Sequence, residues 1–215
     1  MIVKDFSKKN SLLNQFVAEL RDQEVQQDRM RFRRNLERCG EVLAYEMSKE
    51  MAYTPREINS PLGEITIPLP ADQPVLATIL RAGLPFHQGF LNYFDKAENA
   101  FVSAYRRYHK GGDFEIEVEY ASCPNLEDKV LIICDPMLAT GASIEAVFRA
   151  LLRRGTPREV HVVSVIASTQ GLAFVNRKLP GGTTFWTAAI DNELTAQAYI
   201  VPGLGDAGDL AYGDK

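Results

Sequence analysis

Two short runs of apolar residues place the strongest constraint on how this chain folds. Residues 130–134 and 160–166 are apolar almost without alternation, which is the pattern of central strands that are covered on both faces. Further β-type runs at residues 75–80 and 101–105 alternate with short helical stretches. Because strands that alternate with helices pair in parallel, the sequence predicts a parallel sheet in an α/β domain.

The segment before this pattern predicts helices. Residues 10–52 carry two apolar stripes at helical spacing, so we expect a helical N-terminal arm over residues 1–52. Since the chain shows no internal repeat and no long linker, we predict one domain over residues 1–215 with this arm packed against it. The two stripes consist of Leu12, Leu13, Phe16, Val17 and Leu20, and of Leu36, Cys39, Val42, Leu43 and Met47.

One segment departs from the buried-strand pattern. Apolar and charged residues alternate along residues 114–120, directly after Gly111, Gly112 and Asp113. Alternation with a period of two is typical of a strand that has one exposed face. We therefore predict a protruding, flexible β-hairpin over residues 107–122.

Arginines are concentrated at one place in the arm. Five of the eleven residues at 28–38 are arginine. Such a segment is either a solvated helix face or a contact for an anion or a second subunit, because guanidinium groups pair well with phosphates and carboxylates. The sequence leaves both interpretations open.

Charge and cysteine content exclude several classes of protein. The chain has 24 Lys+Arg and 28 Asp+Glu, and this net charge of −4 argues against nucleic acid or anionic membranes as partners. No apolar run approaches the ~18 residues of a membrane span, and no apolar segment typical of a secretory signal follows the N-terminus. Cys39, Cys123 and Cys134 lack the spacing of a disulfide framework or a zinc site. We therefore expect a cytoplasmic protein.

The segment that carries most chemistry follows the first apolar run. Residues 130–143 predict a strand, a loop and the start of an amphipathic helix. This arrangement brings backbone N–H groups and the hydroxyls of Thr140 and Ser143 to one point, which suits a phosphate monoester. Asp135 would lie at the carboxyl end of the strand, where a carboxylate accepts hydrogen bonds from sugar hydroxyls. A plain strand-to-helix connection capped by Thr140 or Ser143 is the alternative, and it leaves Asp135 unexplained.

Four segments together resemble a known family. Residues 135–143, Asp-Pro-Met-Leu-Ala-Thr-Gly-Ala-Ser, resemble the loop that binds 5-phosphoribosyl 1-diphosphate (PRPP) in the type I phosphoribosyltransferases, in the form used by their uracil-specific branch. Residues 79–84 and 104–106 resemble the two diphosphate-binding segments of that family, each with an arginine just after a predicted strand. Residues 198–209 are similar to the uracil-binding tail of the same enzymes.

The resemblance implies a fold, a reaction and a set of site residues. The fold is the parallel-sheet type I phosphoribosyltransferase fold, and the reaction converts uracil and PRPP to UMP and diphosphate in pyrimidine salvage. The implied catalytic residues are Asp135, Arg106 and Asp206, and Asp206 also lies near the Mg²⁺ that accompanies the diphosphate. The implied PRPP site comprises Arg81, Arg106, Asp135, Pro136, Met137, Leu138, Ala139, Thr140, Gly141, Ala142, Ser143 and Asp206. Uracil is read by the main chain at Ile200, Gly205, Asp206 and Ala207.

The same resemblance implies an assembly and a mode of regulation. We expect a homo-oligomer, either dimer or tetramer, with GTP as a candidate effector and with the hairpin at 107–122 closing over PRPP. Ala142, Glu193 and Ala198 depart from the family pattern, which has glycine at these positions. Two alternatives stay open: a nucleotide-sensing regulatory protein of the same fold, and a phosphoribosyltransferase for another nucleobase.

Overall fold

A central β-sheet organises the structure. The computed structural model describes residues 2–108 and 114–214, and the side chains at positions 106–108, 114 and 115 fall outside that description. The strands are β1 (Ile2–Asp5), β2 (Tyr53–Ser60), β3 (Gly63–Pro70), β4 (Val75–Leu80), β5 (Glu98–Tyr108), β6 (Phe114–Ser122), β7 (Val130–Cys134), β8 (Met137–Leu138), β9 (Glu159–Ser168), β10 (Thr184–Asp191), β11 (Glu193–Leu194) and β12 (Ile200–Val201).

The main sheet is parallel, as its sequence pattern predicts. Its order is β1-β10-β9-β7-β4-β5-β6, and β8 pairs with β9. The neighbours run parallel except β6, which is antiparallel to β5. β7 and β9, the two apolar runs, lie side by side in its interior. β7 is buried on both faces, with Ile132 in one core and Leu131 and Ile133 in the other. The predicted parallel α/β fold is therefore confirmed.

Helices cover both faces of this sheet. They are α1 (Leu12–Arg21), α2 (Arg29–Ser48), α3 (Gly83–Leu91), α4 (Ala142–Leu151), α5 (Thr169–Lys178) and α6 (Ala207–Tyr212). α1, α2, α3 and α6 contribute to one core, and α4 and α5 contribute to the other. Among the helices within residues 2–108 and 114–214, none combines the length and apolar character that a bilayer span requires.

The N-terminal arm is helical with two departures from the predicted pattern. Ser11 and Asp28 cap α1 and α2 by accepting hydrogen bonds from the N–H groups of Leu13 (3.3 Å) and Arg31 (3.0 Å), which satisfies donors that a helix start leaves free. Residues 22–28 interrupt the two helices with a short 3₁₀ turn. In addition, residues 2–5 form β1, which pairs with β10 and makes the arm region an edge of the main sheet.

Two hairpins extend the fold. β5 and β6 form the antiparallel hairpin that the alternating segment predicts, although residues 109–113 at its tip lie outside the described residues. β2 and β3 form a second antiparallel hairpin, which our sequence analysis missed. Nearly every residue of this second hairpin is exposed. Residues 64–69 do alternate between polar and apolar side chains, but the prolines at 68 and 70 argue against a strand there.

Candidate active site

A cavity of about 420 Å³ opens at the carboxyl ends of the central strands. Parallel strands deliver the loops that follow them to this edge, which is where ligands bind in open α/β sheets. The chain segments that follow β4, β7 and β12 all contribute to its wall. The predicted site residues that line it are Arg81, Asp135, Pro136, Met137, Ala139, Ser143, Ile200, Gly205, Asp206 and Ala207.

The remaining predicted site residues lie close to this cavity or outside the description. Leu138, Thr140 and Gly141 line a small adjoining hollow of about 50 Å³, which shares Asp135 and Ser143 with the larger cavity. Ala142 begins α4 at the end of the same loop. The backbone of Arg106 lies on β5, and its side chain is outside the described residues.

Asp135 occupies the position that the sequence predicts, directly after β7. One of its carboxylate oxygens, Oδ1, accepts a hydrogen bond from the N–H of Met137 at 3.3 Å. Burial raises the pKa of Asp135 from 3.8 to about 7, against the smaller lowering effect of that hydrogen bond. The carboxyl group therefore titrates near neutral pH and faces a cavity in which a sugar hydroxyl would stabilise its ionised form.

The loop between β7 and α4 rests on α5. The Ser168 hydroxyl donates to the carbonyl of Ala139 (2.5 Å) and accepts from the N–H of Gly171 (2.8 Å), so the cap of α5 also anchors the loop. Gly141 has φ of +82°, and a Cβ there would lie 2.6 Å from Cγ1 of Val175. The need for glycine at 141 thus comes from its backbone conformation and from α5.

Arg81 connects the cavity to the C-terminal tail. Its Nη1 donates to the carbonyl of Gly213 (2.9 Å) and its Nη2 to Oδ1 of Asp209 (2.6 Å). The Leu80–Arg81 peptide bond is cis. The Nε atom is buried and has no hydrogen-bond partner among the described residues. A buried donor without a partner is costly, so a small movement of the Arg81 side chain that gives this donor an acceptor would be favourable.

Residues of the C-terminal tail also line the cavity: Ile200, Gly205, Asp206, Ala207 and Gly208. Gly203 and Gly205 adopt positive φ angles of +55° and +93°, which favour glycine. Asp206 caps α6, because its Oδ1 accepts from the N–H groups of Gly208 (2.8 Å) and Asp209 (3.1 Å). These turns fold the tail into a short, tight segment beside the cavity.

Ala198 also borders the cavity, and its backbone is unusual. It has φ of +63°, within a turn closed by hydrogen bonds between Thr195 and Tyr199. A side chain in this left-handed region is unfavourable for residues other than glycine, which gives a physical reason for the glycine in the family pattern. Glu193, the other departure in this region, pairs with Val201 in the β11–β12 ladder.

We expect Ala198→Gly to stabilise the protein by about 0.5 kcal/mol. Glycine removes the free-energy cost of a left-handed backbone conformation at alanine, and this gain slightly exceeds the cost of the greater conformational entropy of glycine in the unfolded chain. The melting temperature should rise by about 1–2 °C for a chain of this size. Ala196→Gly is the matched control in the same turn, since Ala196 does not have a positive φ, and it should lower the melting temperature. A fall in both variants would contradict the assignment of strain to Ala198.

Some residues that build this site were not found in the sequence. Asp209 holds Arg81, and Arg21 of α1 forms an ion pair with Asp191 at the end of β10 and also bonds the carbonyl of Gly203. Arg21 and Asp191 are 170 residues apart, so no local motif could have revealed the pair. A sequence signal existed for Asp209, which ends the segment at residues 198–209 that resembles the tail of the family, and for Arg21, which begins a short stretch of the arm that also resembles it.

Comparisons with known proteins agree with this geometry. A family model described as uracil phosphoribosyltransferase matches residues 7–214. A uracil phosphoribosyltransferase of Porphyromonas gingivalis is 58% identical over 206 residues, covering 96% of this chain and 95% of that protein. One from Methanothermobacter thermautotrophicus is 39% identical over 187 residues, covering 85% and 83%.

Solved structures support the fold. The AQ2163 protein of Aquifex aeolicus superposes with a TM-score of 0.87 at 29% identity, covering 99% of this chain and 98% of that chain. A hypoxanthine phosphoribosyltransferase of Staphylococcus aureus has a TM-score of 0.50 at 14% identity, covering 74% of each chain, and shows the fold alone. The predicted fold class and enzyme class are thereby confirmed. This chain belongs to the uracil phosphoribosyltransferase family, and it is a phosphoribosyltransferase.

Proposed function

We propose that the cavity binds PRPP and uracil together and forms UMP and diphosphate. The bond between C1 of the ribose and N1 of uracil forms as the bond between C1 and the diphosphate breaks, and the proton on N1 of uracil is released to the departing diphosphate or to water. The observation that carries the proposal is that one cavity is lined by the loop at residues 135–143, by Arg81 and by residues of the tail. Substrates held in such an arrangement react as one complex, which removes much of the entropic barrier.

Each wall of the cavity has a proposed task in this reaction. The N-terminus of α4, where N–H groups lack helical partners, would hold the 5′-phosphate. Asp135 would accept hydrogen bonds from the ribose hydroxyls. Arg81, through Nε, would stabilise the charge on the departing diphosphate. Arg106 is proposed for the same task from the family resemblance alone.

The tail suits recognition of uracil by the main chain. Uracil presents an acceptor, a donor and an acceptor along one edge, and peptide groups at Ile200, Gly205 and Ala207 offer donors and acceptors that no side chain needs to supply. Cytosine has an acceptor where uracil has the N3 donor and a donor where uracil has the O4 acceptor, so it would leave peptide groups of the site without hydrogen-bond partners. A site built on such hydrogen bonds rejects the wrong base by on the order of 10⁴-fold.

Mg²⁺ fits the chemistry of this cavity as a proposed cofactor. Asp206 lines the cavity and uses Oδ1 for its two hydrogen bonds to the tail, so Oδ2 is the oxygen that would hold the ion, directly or through water. Oxygen is the ligand that Mg²⁺ prefers. When bound with PRPP, the ion would neutralise charge on the diphosphate.

Turnover of PRPP against five bases tests the proposed function. With Mg²⁺ present, uracil should react, whereas cytosine, orotate, hypoxanthine and adenine should not, and chelation of Mg²⁺ should abolish turnover. Reaction with another base instead would favour the other-nucleobase alternative and direct attention to Glu193 and Ala198. If the folded protein binds PRPP but turns over none of the bases, the regulatory alternative is favoured.

A homo-oligomer is proposed on the basis of the β2–β3 hairpin. Its side chains Ile58, Leu62, Ile65 and Ile67 are 38%, 100%, 54% and 39% exposed. An isolated two-stranded hairpin is marginally stable in water, and a row of exposed apolar side chains marks an interaction surface. A second copy of the same chain is the occupant that fits the expected homo-oligomer.

We expect Ile65→Glu to weaken this assembly. Sedimentation equilibrium of the wild-type protein should give a mass of at least two chains of 24.0 kDa, and the variant should shift toward one chain, because a buried, unpaired carboxylate costs several kcal/mol. Leu152→Glu is the matched control, since Leu152 is 40% exposed near the end of α4, on another part of the surface. Equal masses in all three proteins would contradict the proposed interface.

Regulation by GTP stays a proposal for the arginine-rich face. Most of its arginines already have partners within the chain, so an effector phosphate would compete with these contacts. Activity measured across a GTP titration tests the proposal. The pairs are Arg31 with Glu19, Arg33 with the carbonyl of Ala211, Arg34 with Glu37, and Arg38 with Asn35.

A cytoplasmic location also stays a proposal. Cys39, Cys123 and Cys134 are buried free thiols, which is what a reducing compartment maintains. Burial raises the pKa of each thiol above its ordinary value, so these groups are poor nucleophiles. Fractionation of the producing cells tests this proposal.

A further inference from the structure

Side chains of the N-terminal arm donate hydrogen bonds to main-chain carbonyls of the C-terminal tail. Arg21, at the last turn of α1, donates Nη1 to the carbonyl of Gly203 at 3.0 Å. Gln26, with its amide nitrogen turned toward two carbonyls, donates to those of Leu20 (3.1 Å) and Leu204 (2.9 Å). Two consecutive peptide groups of the tail are therefore held by side chains from the arm, directly before Gly205 and Ala207.

Asp191, on the main sheet, bonds both Arg21 and the tail. It lies at the end of β10, and its side chain is 8% exposed. It forms a bidentate ion pair with Arg21 (2.7 and 2.9 Å). The same carboxylate accepts the N–H of Gly203 at 2.9 Å. Gly203 is thus held at its N–H by Asp191 and at its C=O by Arg21. A paired guanidinium and carboxylate with parallel hydrogen bonds fix geometry as well as charge.

The backbone of Gly203 forms a tight turn against Ile200. It has φ of +55°, and a Cβ there would lie 2.9 Å from the carbonyl carbon of Ile200. The turn therefore brings Ile200, one edge of the base-reading segment, against the residue that Asp191 and Arg21 hold. Displacement of Gly203 would move Ile200 on one side and Gly205 on the other.

We infer that Arg21 and Asp191 are positioning residues for recognition of the base. The inference deepens the proposed function and rests on it. Recognition by main-chain groups cannot be adjusted by side-chain rotation, so the peptide groups themselves must be held still. The Arg21–Asp191 pair does this from outside the cavity. The loop at residues 135–143 is anchored separately by α5, so loss of the pair should act mainly on uracil and only weakly on PRPP.

Steady-state kinetics of Arg21→Lys and Asp191→Asn tests this inference. Lysine keeps the positive charge but lacks the planar fork that bonds Asp191 and Gly203 together. Asparagine still accepts the Gly203 N–H but loses its charge. In both variants KM for uracil should rise about tenfold, the loss expected for one charge-assisted hydrogen bond, while kcat and KM for PRPP stay within about twofold of the wild type.

Arg31→Lys is the matched control. Arg31 forms the same kind of two-fold ion pair with Glu19 (2.9 and 2.8 Å), but within the arm and away from the tail. In assays without GTP, this variant should leave KM for uracil unchanged even where its stability falls. If KM for uracil rises equally in Arg31→Lys, or if kcat alone falls in Arg21→Lys, the positioning role is overturned.

Hydrogen exchange of the ligand-free proteins provides a readout that does not depend on turnover. Arg21→Lys and Asp191→Asn should exchange faster at residues 203–209, whereas Arg31→Lys should not. Unchanged exchange at residues 203–209 in the first two variants would overturn the inference. Should the wild-type enzyme use another base, the proposed function fails visibly in the turnover assay, and the KM of that base replaces the KM of uracil in this test.

Discussion

We expect Asp135→Asn to lower kcat/KM for PRPP by about 10²-fold at pH 8, because the proposed bonds from the ribose hydroxyls lose a charged acceptor. The ligand-free variant should nevertheless be more stable than the wild type. Burial of the ionised carboxylate disfavours the native state, as the rise of its pKa to about 7 indicates. Loss of activity together with a gain of stability identifies a residue retained for binding.

The sign of the pH dependence follows from the raised pKa of Asp135. Below pH 3.8 the carboxyl group is protonated in the folded and unfolded states and contributes nothing. As pH rises from 3.8 to about 7, ionisation favours the unfolded state, so the stability of the wild type falls over this window and stays lower above it. A shift of this size is worth roughly 4 kcal/mol, and contact of the cavity with water reduces our expectation to about 2 kcal/mol.

Chemical denaturation at pH 5 and pH 8 measures this effect. The stability advantage of Asp135→Asn should be larger at pH 8 than at pH 5, and KM for PRPP of the wild type should rise as pH falls below 7. Asp95→Asn, an exposed aspartate outside the cavity, is the control and should change neither quantity. Near-normal turnover of Asp135→Asn, or a lower stability at pH 8, would contradict the assigned role.

The second large effect is expected for Arg81→Lys. Lysine keeps the charge but has no Nε donor and no planar fork, so it cannot bond a diphosphate while it holds Asp209 and Gly213. We expect kcat/KM for PRPP to fall by about 10²–10³-fold, the loss seen when one preorganised donor is removed from a charge-stabilising site. Affinity for inorganic diphosphate, measured by calorimetry, should fall in parallel.

Arg158→Lys provides the comparison for Arg81→Lys. Arg158 bonds Asp72 at 2.9 Å on the surface, outside the cavity, and its replacement should leave both PRPP kinetics and diphosphate binding unchanged. If Arg81→Lys retains diphosphate affinity and loses only stability, Arg81 serves the tail through Asp209 and Gly213 and does not bind the leaving group.

The sequence alone predicted the central strands, the loop that follows β7 and the helices of the N-terminal arm. The apolar runs at β7 and β9 predicted buried parallel strands. A strand that helices cover on both faces needs apolar side chains at successive positions, and this pattern is visible in the local sequence. The loop from Asp135 to α4 was predicted because a strand, a turn and a helix start are continuous in the chain. The helical stripes of the arm belong to the same class.

Tertiary structure alone decided how distant segments meet. Arg21 and Asp191 lie 170 residues apart and hold Gly203 from two elements. The β2–β3 hairpin has no buried face in this chain, and its exposed apolar side chains share a face only once the two strands pair. Gly141 is required by α5, a helix that follows it by more than 25 residues. Periodicity and motifs report the surroundings of a residue along the chain, whereas these contacts depend on which chain segments the fold brings together.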